Sequence, residues 1–428
     1  MCGFVGYLPG TNRAYNDEAT IQEMMDTIRH RGPDSGGYHV AEGAVLGFRR
    51  LTIIDLSDAG NQPLYDESGR YTLVFNGEIY NHKEIRAELE QKGYHFKSHT
   101  DSEVLVHGYA EWREGILDRV RGMFAFAIWD EQEQSLFLAR DMFGIKPLYY
   151  GKASDDGTFF FGSEIKSFLP HPSFVKEVNK NAVLPYLTFQ YPVTNETFFK
   201  NIYKLEPGTW MRVDADGHMT RKRYWDFEFA ASDESLESYI QQISDVLKDS
   251  VKVHKIADVP VGAFLSGGID SSYITALFKP ENTFSVGFGD YEGRFNETDL
   301  AHRLSEILGF DHHIRLIGAD DFFAALPDIQ YHLDEPQSNL STVPLYFLTK
   351  LASEHVTVVL SGEGADELFG GYESYMRTPH LKLYDRVVPH GVRRGLCKIA
   401  RHLPDNRLTN LMVRGGQTPE KYFIGQAK

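Results

Sequence analysis

Cysteine is scarce in this chain. Only Cys2 and Cys397 occur among 428 residues, which excludes a disulfide framework and leaves a cysteine at the second position to be explained by chemistry. Long apolar runs are missing too, since no stretch approaches the ~18 residues of a membrane span. The first residues lack a basic segment followed by an apolar core, so no signal peptide is expected and the cytoplasm is the expected location. Positive charge is in deficit: 44 Lys and Arg stand against 60 Asp and Glu, a net charge of −16. Such a field repels nucleic acid and anionic membranes, and small-molecule substrates are the expected clients. What is present describes an ordinary globular protein, 42% hydrophobic and 13% aromatic, long enough for two or three domains and without internal repeats.

The chain is organised around VGAFLSGGIDSS, residues 261–272. The β-branched and aromatic run 261–265 predicts a buried strand. Gly267-Gly268 lets backbone N–H groups approach an anion, and Ser271-Ser272 opens an apolar helix over 273–278. The turn lacks the Lys of a Gly-Lys-Ser/Thr loop, so nothing follows the β/γ junction of a nucleotide, and cleavage between the α and β phosphates is expected. An ordinary glycine turn is the plainer alternative. Downstream, strands at 283–287, 312–317 and 356–360 alternate with helices at 297–308, 320–332 and 342–354. This alternation predicts a doubly wound parallel sheet with its ligand at the carboxyl ends of the strands, where a second glycine-rich turn, SGEGADELFGGY at 361–372, also falls.

Upstream, Cys2 heads a short strand and is the first candidate nucleophile. Removal of Met1 would free its α-amine, with a reference pKa of about 7.7 to 8.0, to serve as the thiol's own base. A small buried hydrophobe is the alternative. Arg50 lies among apolar neighbours in a strand predicted over 44–54. In YTLVFNGEIY, residues 71–80, Asn76-Gly77 interrupts a strand pattern and predicts a bend that aims an amide and an N–H at one point, as an oxyanion hole requires. A hairpin turn is the competing reading. Asp101 precedes a helix predicted over 102–111. The pattern loosens over 176–225, which carries Pro185, Pro192 and Pro207, and a domain boundary is expected at 225–234 before a helix at 236–254.

MCGFVGY, RHRGPD, RRLTIID, FNGEIYNH, SHTDSEV, MFAFAIWD, ARDMFGIKPLYY and GSEIKS together resemble the glutaminase domain of the class II, N-terminal-nucleophile amidotransferases. SGGIDSS resembles the pyrophosphatase-type loop of the adenylating ATP hydrolases. Taken together the motifs make the chain similar to the glutamine-dependent asparagine synthetases, in the order that family has them. The resemblance implies an α+β, Ntn-type layered αββα glutaminase domain at residues 2–225. It also implies an α/β, doubly wound parallel-sheet ATP pyrophosphatase domain at residues 235–428.

The same resemblance assigns roles. Cys2 attacks the glutamine carbonyl, and Asn76 with the Gly77 N–H stabilises the oxyanion. Arg50 grips the α-carboxylate by a two-point fork and Asp101 the α-ammonium, with Glu78 and the backbone of Leu51, Thr52, Ile53 and Ile54 completing the pocket. ATP lies against the backbone of Phe264, Leu265 and Val286. Ser266, Gly267, Gly268 and Ser271 hold pyrophosphate, Ser361 and Gly362 lie beside the nucleotide, and Glu363 supports the β-aspartyl-AMP intermediate. Asp270 and Asp366 hold Mg²⁺. Glutamine, aspartate and ATP are the implied substrates, a dry passage carries ammonia between the domains, and a homodimer is the implied assembly.

Two departures stand out. Asp334-Glu335-Pro336-Gln337-Ser338-Asn339 occupies the place where some members have a Thr and an Arg that contact aspartate or pyrophosphate. The chain also stops at Lys428, before the family's Arg-x-Pro-Phe-Leu-Asp segment and adenylate-neutralising Lys, so truncation is expected. A relative acting on another carboxylate, of β-lactam synthetase or peptide-modifying type, is the alternative enzyme. A non-catalytic homologue is the alternative of another class, and it predicts decay of the charged site positions.

Overall fold

The computed structural model describes residues 1–230, 232–289, 297–372, 375 and 378–418. Two six-stranded antiparallel sheets fill the first half. In spatial order one sheet contains Ile202–Lys204, Tyr149–Lys152, Phe159–Gly162, Gly3–Leu8, Val45–Arg50 and Ser35–Val40. The other contains Met219–Arg223, Thr209–Val213, Ser135–Arg140, Gly122–Asp130, Tyr71–Ile79 and Leu64–Tyr65. Alternation of apolar residues gives each sheet an inner face, and Phe4, Phe48, Val74, Trp129, Leu138 and Phe161 bury those faces against one another. The outer faces are covered by helices. Asp17–Asp26 packs through Ile21, Met24 and Met25 on the first sheet, and His82–Gln91 and Glu103–Trp112 pack through Ile85, Leu89 and Leu105 on the second. The layers run helix, sheet, sheet, helix, as expected.

The second half carries a four-stranded parallel sheet in the order Asp311–Ile317, Asn282–Phe288, Val261–Phe264, Val358–Leu360. Chain order therefore runs outward from Val261–Phe264 in one direction and then reverses to place Val358–Leu360 on its other side. That reversal is the topological switch point where open parallel sheets bind ligands. Ala263 is paired with Leu360, so the glycine turns that follow the two strands emerge side by side.

Three local expectations are corrected. Asn76-Gly77 makes no bend: Tyr71–Ile79 runs straight through it, with Asn76 opposite Ala125 and Gly77 opposite Phe124. Glycine is required there by close approach, because a Cβ at Gly77 would lie 2.3 Å from the Met123 carbonyl oxygen. The strand predicted over 44–54 ends at Arg50, which frees Leu51–Ile54 to form a loop over Cys2. The helix after the first glycine turn starts at Ile269, so Asp270 and both serines belong to its first turn. No helix among the described residues is long and apolar enough to cross a membrane.

Candidate active site

Cys2 stands one residue before the strand Gly3–Leu8, and its thiol is held by the loop beyond Arg50. The Leu51 N–H donates to Sγ at 3.4 Å, and the Leu51 carbonyl lies 3.5 Å from Sγ as an acceptor for the thiol proton. Burial pushes the thiol up, and the Leu51 hydrogen bond works against it. The Cys2 carbonyl accepts from Arg31 Nε at 2.9 Å. Met1 lies over the site with its sulfur 3.2 Å from Lys146 Nζ, and burial lowers its α-amine to about 6.

Asn76 is 1% exposed, and its Nδ2 has no hydrogen-bond partner among the described residues. A buried donor without an acceptor costs ~1–3 kcal/mol, so this amide is poised for an acceptor that a ligand brings. Asp101 accepts from the Ile79 N–H at 2.7 Å, and burial pushes its carboxyl up to about 6. Glu78 is raised well above the carboxylate range by burial and by the Asp101 charge, with Lys146 opposing the shift. A buried and a half-buried carboxylate facing one cavity suit an ammonium ligand.

Arg50 is committed differently from the expected fork. NH1 donates to the Ser57 carbonyl (2.8 Å) and Asn61 Oδ1 (2.9 Å), and NH2 donates to the carbonyls of Ile54 and Asp55. The guanidinium thus shapes the loop that walls the pocket. Thr52 turns away, its N–H donating to Asp34 Oδ2 at 2.8 Å.

One cavity of about 1150 Å³ is lined by Cys2, Arg50, Leu51, Ile53, Ile54, Asn76, Gly77, Glu78 and Asp101, and also by Phe264, Ser361 and Glu363. Its walls come from both halves of the chain. A second cavity, of about 470 Å³, is lined by Phe264, Leu265, Ser266, Asp270, Ser271, Val286, Ser361, Gly362 and Glu363. Phe264, Ser361 and Glu363 therefore face both cavities.

Thr52, Gly267, Gly268 and Asp366 line neither cavity. Gly267, at φ +83°, packs on the helix Thr298–Leu308, where a Cβ would come 2.8 Å from that of Leu300. The Gly268 N–H donates to Ser266 Oγ at 3.2 Å, and Gly268 caps the helix Ile269–Phe278. Asp366 lies in the first turn of the short helix Ala365–Phe369. No three His, Cys, Asp or Glu side chains gather as a metal site among the described residues.

Sequence reading assigned nothing to Lys146, Arg31, Glu164 or Lys166, although their motifs carried the resemblance. Lys146 is buried on the first cavity beside Glu78, and burial lowers its ammonium. Its only signal was a lysine in an otherwise strand-like segment.

An αββα sandwich whose half-buried Cys2 thiol and unpaired Asn76 amide line one cavity, a cavity that also reaches a parallel-sheet switch point, defines an Ntn-type amidotransferase joined to a second, parallel-sheet domain. Family comparison agrees: residues 1–225 match the glutamine amidotransferase domain and residues 242–423 match asparagine synthase. The chain is 42% identical over its whole length to asparagine synthetase [glutamine-hydrolyzing] 1 of Bacillus subtilis, of which it covers 68%. It is 41% identical, again over its whole length, to a Mycobacterium tuberculosis protein provisionally given the same enzyme name, of which it covers 69%. Over 88% of its length it is 31% identical to "Amidase chry2" of Gibberella zeae, covering 60% of that protein. The chain belongs to the family of glutamine-hydrolysing asparagine synthetases.

Proposed function

We propose that this protein makes asparagine from aspartate, taking nitrogen from glutamine and energy from ATP. The observation that carries the reading is the single cavity shared by Cys2 and Glu363. Ammonia in water at neutral pH is mostly ammonium and no nucleophile, and a passage between the two sites keeps it reactive.

With Met1 removed, the freed amine of Cys2 takes the thiol proton and Sγ attacks the side-chain carbonyl of glutamine. Asn76 Nδ2 donates to the oxyanion. Asp101 and Glu78 hold the α-ammonium, and the loop shaped by Arg50 receives the α-carboxylate. Collapse expels ammonia and leaves a thioester, which water hydrolyses to glutamate.

In the second half, a β-carboxylate oxygen of aspartate attacks the α-phosphorus and pyrophosphate leaves. Ammonia then attacks the acyl carbon and AMP leaves. The Ser266–Ser271 turn supports pyrophosphate binding at the start of the helix Ile269–Phe278. Phe264, Leu265 and Val286 support the nucleotide, with Ser361, Gly362 and Glu363 at the reacting carboxylate. Mg²⁺ fits the donor set, since it takes one or two carboxylates plus phosphate oxygens. Asp270 on the cavity and Asp366 in the adjoining turn would hold it, and when bound it neutralises the crowded phosphates. We place the domains at 2–225 and 235–428. The free Cys2 thiol supports a reducing, cytoplasmic setting.

The likeness to a protein named an amidase keeps a second reading, in which another carboxylate is adenylated. Exchange of labelled pyrophosphate into ATP, screened over carboxylic acids, separates the two. Aspartate should drive exchange; exchange with another acid and none with aspartate would replace the acceptor.

A further inference from the structure

The Asp334-Glu335 pair does not face the nucleotide cavity. It follows the helix Ala319–Leu333 and reaches into the glutaminase half, where each carboxylate finds one lysine and backbone N–H groups. Asp334 Oδ1 lies 2.8 Å from Lys166 Nζ, and its Oδ2 accepts the Ile165 N–H at 2.6 Å. Glu335 Oε2 lies 2.8 Å from Lys204 Nζ, and its Oε1 accepts the Phe198 N–H at 3.0 Å. Both carboxylates are buried, with side chains 6% exposed. Asp334 holds this pose at φ +61°, a backbone state that a non-glycine residue keeps only where its surroundings fix it.

Buried ion pairs add little to stability, but breaking one leaves an uncompensated charge, so they fix one arrangement against its neighbours. A slide of either half would strand two carboxylates and two ammonium groups at once. The clasp also reaches the nucleophile. Lys166 Nζ lies 2.5 Å from Glu164 Oε2, and Glu164 Oε1 accepts from Arg31 NH1 at 2.9 Å. Arg31 in turn holds the Cys2 carbonyl. The cavity walls come from both halves, so the passage exists only while the halves stay in register.

We infer that Asp334 and Glu335 are positioning residues that hold the two halves in the register at which ammonia passes from Cys2 to the second site without loss. The inference rests on the amide-transfer reading above and concerns the efficiency of transfer, not either reaction by itself.

The test measures glutamate formed per asparagine formed with glutamine as nitrogen source, and in parallel the ammonia-driven rate. Glu335→Gln keeps an acceptor for the Phe198 N–H, lies off the path to Cys2, and removes only the charge. Its ratio should rise severalfold from near one, while ammonia-driven synthesis stays within about twofold of the parent, the margin expected of a site remote from the chemistry. Glu335→Asp, which keeps both the charge and an acceptor, should leave the ratio closer to the parent value than Glu335→Gln does. A ratio that stays at the parent value in Glu335→Gln, or rates from glutamine and from ammonia that fall together, overturns the inference. A parent that makes no asparagine from either source, assayed as the full-length enzyme, sinks the underlying reading, and this inference with it.

Discussion

Gly362 is seated on Asp270: a Cβ added at Gly362 would lie 3.0 Å from the Cβ of Asp270 and 2.8 Å from the backbone nitrogen of Ser271. Two turns almost a hundred residues apart in sequence are thereby in van der Waals contact across the switch point of the parallel sheet, and the cavity of about 470 Å³ is lined by both.

Gly362→Ala should therefore push the turns apart without touching the other half of the molecule. Misplacement of about 1 Å near reacting groups costs ~100-fold. Pyrophosphate exchange should fall by about that factor while glutaminase activity is unchanged. Normal exchange in this variant would mean that the two turns do not share a nucleotide.

Asn76→Ala removes the unpaired amide on the cavity that Cys2 also lines. Loss of one oxyanion donor typically lowers kcat by ~10²–10³. Glutamine hydrolysis should show that loss in kcat, and synthesis driven by added ammonia should be unaffected. A change confined to KM would make Asn76 a binding residue only.

Glutamine use should also depend on pH through Asp101. Burial raises this carboxyl from the usual range to about 6, so its charged form prevails above that pH and its neutral form below. Only the charged form attracts the α-ammonium. Hence kcat/KM for glutamine should fall as pH is lowered through about 6, tenfold per unit at the limit for a single proton. Asp101→Asn should raise KM and remove that limb. An acid limb that persists unchanged in Asp101→Asn would assign it to another group.

Much of this was legible in the sequence because it is local. The short strand behind Cys2, the helix Leu236–His254 and the strand-turn-helix around Ser266 each follow from local composition and turn chemistry. Long-range partners were not. Gly77 reads as a breaker in isolation, yet it is glycine because the neighbouring strand presses on it, a fact located at Met123. Arg50 reads as a free fork until the loop 54–61 folds back on it. Asp334 and Glu335 read only as a departure from the family's Thr and Arg, since nothing nearby in sequence announces Lys166 and Lys204, well over a hundred residues upstream. Lys146 was passed over for the same reason: its partners Glu78 and Met1 lie far from it along the chain.

The central claim is that one cavity carries nitrogen from the Cys2 thiol to an adenylated acid held by two glycine turns, and Cys2→Ala assayed with each nitrogen source tests it most directly. The account predicts that asparagine formation from glutamine disappears while formation from added ammonia continues at the parent rate. Undiminished synthesis from glutamine, or loss of synthesis from both sources in a folded variant, would contradict it.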